Sequence, residues 1–509
     1  MKDNPVLVIG AGMGGLAAAI DLARSGFRVT VVEKAATPGG KMRQLHPAGG
    51  PGIDAGPTVF TMRWVFESLF ADAGASLSDY VTLGSAGVLA RHGWTNGSRL
   101  DLFAEMERSI AAIGDFAGKA DAEGYRAFCA RSEAIYAVLR DSFISAQRPG
   151  LLDMAPRVGL AGLPALLGTA PHRTLWAELG RYFSDPRLRQ LFGRYATYTG
   201  SSPFAAPATL MLIAHVEKDG VWFVEGGMAN VARGMEALAR SLGVTFRYEE
   251  SVAEILQAGG RASGVRLATG ERLEAGSIVF NGDLSALRGG LIAGGRAVGP
   301  RPVAPARRSL SAVTWCVSGR TSGFPLSHHT VFFSDTYREE FRQVFGHQSV
   351  CEQPTVYVCA QDRHDDRQPA GETERLLLLV NAPAIGDRGS FDAGRLQDIR
   401  RRAWSVLKRC GLEVEPLDDG EVATTPDAFE RLFPASGGAL YGRANHGLLG
   451  SFQRPGPESG LEGLYLAGGG VHPGPGIPMA TLSGRLAAER ILSKARGVRT
   501  GWRLRQSVP

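Results

Sequence analysis

The chain has 509 residues, too many for one simple core and enough for two or three domains. Its hydrophobic fraction of 44% and charged fraction of 21% are those of an ordinary globular protein. A formal charge of +6 is too mild to imply nucleic acid and no nucleic-acid motif is present; it suits contact with anionic lipid as well as it suits a plain basic protein.

Val6-Leu7-Val8-Ile9 is a short apolar run that leads straight into Gly10-Ala11-Gly12-Met13-Gly14-Gly15. A helical stretch follows from Leu16 to Arg24, and Phe27 to Val32 is a second strand that closes on Glu33. This is a complete β-turn-α-β unit of the dinucleotide-binding kind. Gly10 allows the tight turn, Gly12 lets the backbone approach a diphosphate, and Gly15 lets helix and strand pack closely. The helix start offers free N–H groups and the positive end of its dipole. Glu33 is placed to accept hydrogen bonds from ribose hydroxyls, and its charge disfavours a 2′-phosphate. Gly39-Gly40-Lys41-Met42-Arg43 and Asp54-Ala55-Gly56-Pro57-Thr58 come next; a second Gly-rich loop with cations favours FAD over NAD.

Met1 to Asn4 is polar and the first strand starts at once, so no signal peptide is expected. No run of 18 apolar residues exists, so no transmembrane span is expected. From Arg99 to about His215 the pattern predicts mostly helix. Within it, Val158 to Pro171 is uncharged and broken by prolines, and Arg157, His172 and Arg173 flank it. It reads either as a segment that dips into a membrane interface or as a buried lid. Met228 to Leu242 predicts a helix. Val244–Tyr248, Val252–Leu256, a hairpin around Gly264–Leu273 and Ser277–Phe280 predict strands that return to the nucleotide domain. Leu310–Val317, Thr330–Phe333, Thr355–Cys359 and Leu376–Val380 predict a second sheet, with Leu376–Val380 as a central strand buried on both faces. Gly394 to Lys408 predicts an amphipathic helix. Finally, Gly463–Leu466 is a strand entering Ala467-Gly468-Gly469-Gly470-Val471-His472-Pro473-Gly474-Pro475-Gly476, and Pro478 opens a last helix. This second Gly-rich strand-loop-helix unit suits a flavin ring, whose N1 and C2 carbonyl gain negative charge on reduction.

Five cysteines, odd in number and without a Cys-x-x-Cys, argue against a disulfide framework or zinc site. The ten histidines show no metal-ligand spacing, so no metal is expected.

These motifs carry a resemblance that runs nearly end to end. With Gly10–Gly15, Gly39-Gly-Lys41, Asp54–Pro57, Tyr198–Pro203, Gly220–Phe223, Gly226–Met228, His328–Asp335, Pro354–Val358 and Leu464–Ile477, the chain resembles the bacterial carotenoid desaturases, the phytoene-desaturase-like FAD enzymes. Val471 and Pro475 depart from the commonest signature. Val471–Ala480, Leu482–Gly484 and Ala439–His446 look more like one branch, the 1-hydroxycarotenoid 3,4-desaturases of purple bacteria.

The resemblance implies an α/β fold: a discontinuous Rossmann-like FAD domain of the amine-oxidase type, a substrate domain of mixed sheet and helices, and a helical lid or membrane-contact region. The expected parts are 1–80, 221–290 and 431–509 for the FAD domain, 81–220 for the mostly helical region, and 291–430 for the substrate domain. The implied cofactor set is Gly10, Gly12, Gly14, Gly15, Glu33, Lys34, Gly40, Lys41, Arg43, Gly56, Pro57, Val252, Gly468, Gly469, Pro478 and Met479. The implied reaction removes a hydride to flavin N5 and then a proton, which creates the C3–C4 double bond of 1-hydroxyneurosporene or 1-hydroxylycopene. His472 and Asp54 are the candidate catalytic residues; their alternatives are a loop-fixing histidine and a turn carboxylate bonded to backbone N–H groups. Tyr195, Tyr198 and Trp222 are candidates for the channel wall. A C40 substrate implies a peripheral protein on the cytoplasmic face of the inner or intracytoplasmic membrane, with Arg157 to Arg173 as the candidate mouth. The electron acceptor is oxygen, a quinone or another carrier. The rival readings are a phytoene- or neurosporene-forming desaturase, a non-catalytic isoprenoid escort of the same fold, and an amine oxidase, for which no aromatic cage is found.

Overall fold

The computed structural model describes residues 5–147, 172–290, 299–364, 369, 371–448 and 450–497. A five-stranded parallel sheet is assembled from three separate stretches of chain. Its order is Leu464–Leu466, Ser277–Phe280, Val6–Ile9, Val29–Val32, Thr245–Arg247. Val8 lies between Val31 on one side and Val279 on the other. Parallel strands buried on both faces need continuous apolar runs, and these short segments supply them.

The helix Met13–Arg24 follows the first strand, and the helix Ile477–Ala495 follows the last. The two pack against each other. They approach so closely that a Cβ on Gly484 would sit 1.9 Å from the Gly14 carbonyl oxygen. A buried ion pair, Arg485 Nε to Asp21 Oδ2 at 3.0 Å, fixes their register. Both helices therefore start at the same edge of the sheet.

A seven-stranded sheet forms the second layer, in the order Leu412–Thr424, Ser311–Gly323, Glu374–Ala382, Val356–Ala360, His329–Phe333, Val88–Trp94, Arg99–Phe103. Leu376, Leu377, Leu378 and Val380 are buried in its third strand, as the unbroken apolar run predicts. The helix Ala393–Arg409 covers one face through Ile399, Ala403, Val406 and Leu407.

One element departs from the sequence reading. The stretch expected to be helical from Arg99 opens with a strand, Arg99–Phe103, which forms a hairpin with Val88–Trp94. The turn holds Asn96-Gly97, with Gly97 at φ +82° and the Asn96 side chain accepting from the Ser98 N–H at 3.0 Å. That dipeptide is a hairpin signal which the charged flanks conceal. The edge strand Leu412–Thr424, for which the sequence pattern set no expectation, carries Asp418-Asp419-Gly420 in its irregular stretch, where the register shifts opposite Val317–Gly319. The proposed membrane segment, 158–171 with Arg157, lies outside the described residues.

Candidate active site

Both glycine-rich crevices open into one cavity of about 950 Å³. One wall is Gly12–Gly14, Gly39–Met42 and Ala55–Thr58; the facing wall is Gly468–Gly470 and Pro475–Ala480. The remainder is mostly apolar, with Leu139, Phe143, Ile144, Leu212, Ile213, Val216, Val331, Leu377 and Leu379.

Glycine is required here by close approach. A Cβ on Gly15 would lie 2.1 Å from the Gly10 carbonyl, and one on Gly14 would lie 2.7 Å from both the Gly468 nitrogen and Asn281 Oδ1. Asn281, at the end of its strand, donates to the Gly10 carbonyl at 3.2 Å. It thus ties the first crevice to the second.

The donor set fits FAD. Two helix N-termini converge on one cavity, which favours negative charge there. Lys41 is half-buried at the cavity wall, and the loss of hydration there lowers its amine to about 8 although Asp283 opposes the shift. Arg454 is buried and is lowered to about 10 by burial, with Arg443 adding to the effect. Its guanidinium donates to the carbonyls of Tyr441 and Gly469, each at 3.0 Å, and so fixes the flavin-side loop. Glu33 is buried at the end of the second strand. Each of its oxygens accepts one backbone N–H, from Ala11 at 2.7 Å and from Ala35 at 2.8 Å. A carboxylate has about four acceptor positions, so capacity for ribose hydroxyls remains.

Of the cofactor set read from sequence, Gly12, Gly14, Gly40, Lys41, Gly56, Pro57, Gly468, Gly469, Pro478 and Met479 line this cavity. Gly10 and Gly15 shape the turn beneath it. Lys34 donates to the Leu432 carbonyl instead, Arg43 donates to Thr424 Oγ1 at 2.8 Å, and Val252 pairs with Leu267 in a separate three-stranded sheet.

Neither candidate catalytic residue lines the cavity. Asp54 accepts from the backbone N–H of Met228 at 2.5 Å and of Ala229 at 3.4 Å, so it caps the helix Ala229–Ser241. Burial raises its carboxyl, against the pull of those N–H groups. His472 is buried with Nε2 at 2.9 Å from the Phe143 carbonyl and 3.0 Å from the Ala146 carbonyl. Two acceptors require a proton on Nε2, so this atom donates and ties the C-terminal loop to residues 143–146.

The polar groups that do face the cavity come from elsewhere. Tyr357 Oη lies 2.7 Å from Thr58 Oγ1 and 2.7 Å from Nδ1 of the buried His329. Arg194, Tyr198 and Glu217 form a second polar group on the wall. Tyr195 stands behind it and Trp222 packs on Phe60, away from the cavity. Only Tyr198 of the three aromatic candidates reaches the chamber. Arg194 and Glu217 are separated by 23 residues, and no motif joins them in the sequence.

A family model described as flavin containing amine oxidoreductase matches residues 13–492. The chain belongs to this family. It is 52% identical to a hydroxyneurosporene desaturase of Rubrivivax gelatinosus, over 97% of this chain and 94% of that protein. It is 45% identical to a hydroxyneurosporene desaturase of Cereibacter sphaeroides, over 96% of this chain and 97% of the other. Among solved structures, an oxidoreductase of Methanosarcina mazei superposes with a TM-score of 0.60 at 15% identity, covering 96% of this chain and 100% of that one. The fold is thus the amine-oxidase-like α/β fold and the cofactor of the family member described here is FAD.

Proposed function

We propose that this protein is a 1-hydroxycarotenoid 3,4-desaturase, a CH–CH oxidoreductase acting on 1-hydroxyneurosporene or 1-hydroxylycopene. The observation that carries this reading is the single cavity in which two glycine crevices meet an apolar chamber, in a chain 52% identical to a hydroxyneurosporene desaturase.

Bound FAD supplies the two-electron acceptor. Gly12–Gly14 and the start of the helix Met13–Arg24 would hold its diphosphate, and Lys41 on the same cavity wall would supply a cation. The start of the helix Ile477–Ala495, with Gly468 and Gly469, would hold the ring. The leucine, isoleucine and valine wall removes the polyene from water, worth about 0.8 kcal/mol for each CH₂-sized unit buried. Tyr357 Oη, hydrogen-bonded to Thr58 Oγ1 and to His329 Nδ1, is the phenol that would orient the reacting end of the polyene; burial holds His329 well below the ordinary histidine range, so this pair does not store the proton that leaves the substrate. His472 and Asp54 hold the scaffold.

Among the described residues no helix is long and apolar enough to cross a membrane. The proposed contact is peripheral. Leu448 lines the cavity yet is 51% exposed, which marks the mouth where a lipid-borne substrate enters. Leu448→Asp should weaken flotation with anionic liposomes; undiminished flotation would move the contact elsewhere.

Co-expression with a 1-hydroxycarotenoid producer, followed by HPLC of the pigments, tests the activity. A product with one more conjugated double bond is expected. Consumption of phytoene with hydroxylated carotenoids left intact would overturn the reading in favour of a phytoene desaturase.

A further inference from the structure

The chamber is apolar apart from a few side chains, and one group of these is charged. Arg194 and Glu217 are buried, with Arg194 Nη2 at 3.2 Å from Glu217 Oε1. Tyr195 Oη donates to Glu217 Oε2 at 2.5 Å, and Tyr198 Oη donates to Oε1 at 3.2 Å. Arg194 Nη1 donates to the Tyr198 hydroxyl. The short helix Leu212–Lys218 turns Leu212, Ile213, Val216 and Glu217 toward the same chamber. Placing an ion pair in such a wall is expensive and, for stability alone, a packed apolar pair would serve as well.

The group has hydrogen-bonding capacity to spare on the chamber side. A guanidinium has five N–H donors; Nη1 bonds Tyr198, and Nη2 bonds the Glu217 carboxylate at 3.2 and 3.5 Å. Tyr198 Oη accepts from Arg194 and donates to Glu217, which leaves it one lone pair. A tertiary alcohol offers one donor and two acceptor positions, the complement of what Arg194 and Tyr198 leave open. Apolar carbon chains offer neither.

The position agrees with the chemistry. In a 1-hydroxycarotenoid the hydroxyl carbon is two bonds from the C3–C4 bond, so its recognition site must adjoin the flavin edge. Thr58, two residues beyond Gly56 on the wall that also carries Gly12–Gly14 and Gly39–Met42, bonds Tyr357. Thr58, Tyr357, Tyr198, Arg194 and Glu217 all line the same cavity.

We infer that Arg194, Tyr198 and Glu217 form the subsite that binds the C1 hydroxyl of the substrate and so set the preference for hydroxylated over unhydroxylated carotenoids. This rests on the desaturase reading above. Without the hydroxyl, the same buried polar groups are left facing a hydrocarbon end, which penalises the wrong substrate.

The test compares the flavin-loaded enzyme with its Tyr198→Phe and Arg194→Lys variants, each given 1-hydroxyneurosporene and neurosporene in the same liposomes. Binding of each carotenoid is measured separately by quenching of protein fluorescence. Tyr198→Phe removes one oxygen and keeps the ring, so it guards against loss of fold; a thermal melt checks this. The ratio of kcat/KM for hydroxylated over unhydroxylated substrate should fall about tenfold to a hundredfold in Tyr198→Phe, as a lost buried hydrogen bond implies. The affinity ratio should fall with it. Unchanged ratios in both folded variants would overturn the subsite. A wild-type enzyme that leaves 1-hydroxyneurosporene untouched would instead sink the desaturase reading itself.

Discussion

The nucleotide crevice and the carotenoid chamber share one cavity but are built in opposite ways. The crevice is made of backbone. Gly12–Gly14, Gly39–Gly40 and Gly468–Gly470 present main chain and helix N-termini, and a side chain added at Gly14, Gly15 or Gly39 would collide with backbone. The chamber is made of side chains from far-apart segments: Arg194 and Glu217 from helical turns, Tyr357 and Leu377 from the seven-stranded sheet, Leu448 from a loop. A backbone site tolerates little change, whereas a side-chain site can be retuned one residue at a time. Cofactor binding should therefore be brittle and substrate choice adjustable.

Gly15→Val is the severest way to probe that contrast. Its branched side chain would begin 2.1 Å from the Gly10 carbonyl, so the turn must open. We expect no yellow flavin absorbance near about 450 nm and a loss of roughly 3 kcal/mol or more in urea unfolding. Ile213→Ala in the chamber should keep its flavin and raise KM for the carotenoid. Equal flavin loss in both variants would remove the distinction. Lys41→Met comes next: FAD affinity should drop about tenfold to a hundredfold, some 1.5–3 kcal/mol, in a fluorescence titration. Undiminished affinity would reduce Lys41 to a support for the Leu440 carbonyl it also bonds.

Acid should act on the loop that joins the two regions. His446 Nε2 accepts from the Ser202 N–H at 2.9 Å, and burial lowers its imidazole to about 4. Because the folded value lies below the unfolded one, the unfolded chain takes up the proton first as pH falls. Stability is therefore full above the ordinary histidine range and is lost on descending toward about 4. His446→Gln should flatten this slope, which is of order 2 kcal/mol, in melts recorded across that window. The mildest effect is expected from Asp54→Ala. It removes a helix cap worth about 1 kcal/mol, lowers the melting temperature and leaves the pH profile of turnover in place. A turnover collapse in a folded Asp54→Ala protein would return this residue to the chemistry.

The legibility of the molecule divides along the same line. Gly10–Gly15 and Ala467–Gly476 were readable because each function is encoded within one strand-loop-helix unit, and the five-stranded sheet follows from apolar runs beside them. His472 was drawn toward chemistry by its motif, but its imidazole is spent on the carbonyls of Phe143 and Ala146, over 300 residues away in the chain. Asp54 likewise is committed to the N-terminus of a helix that begins at Ala229. Arg194 and Glu217 carried no signal, since an arginine before two tyrosines and a glutamate in a polar helix end are ordinary surface patterns. The hairpin Val88–Phe103 was hidden because the charged Arg91 and Arg99 flank its Asn96-Gly97 turn and mask the apolar positions of its strands.

By itself the sequence determined the cofactor fold, since glycine spacing and short apolar strands are local constraints that few conformations satisfy. Tertiary structure alone decided what lines the chamber and which acids and bases face it. Those positions depend on packing between segments hundreds of residues apart, and hydrogen-bond partners at such separations leave no trace in local periodicity.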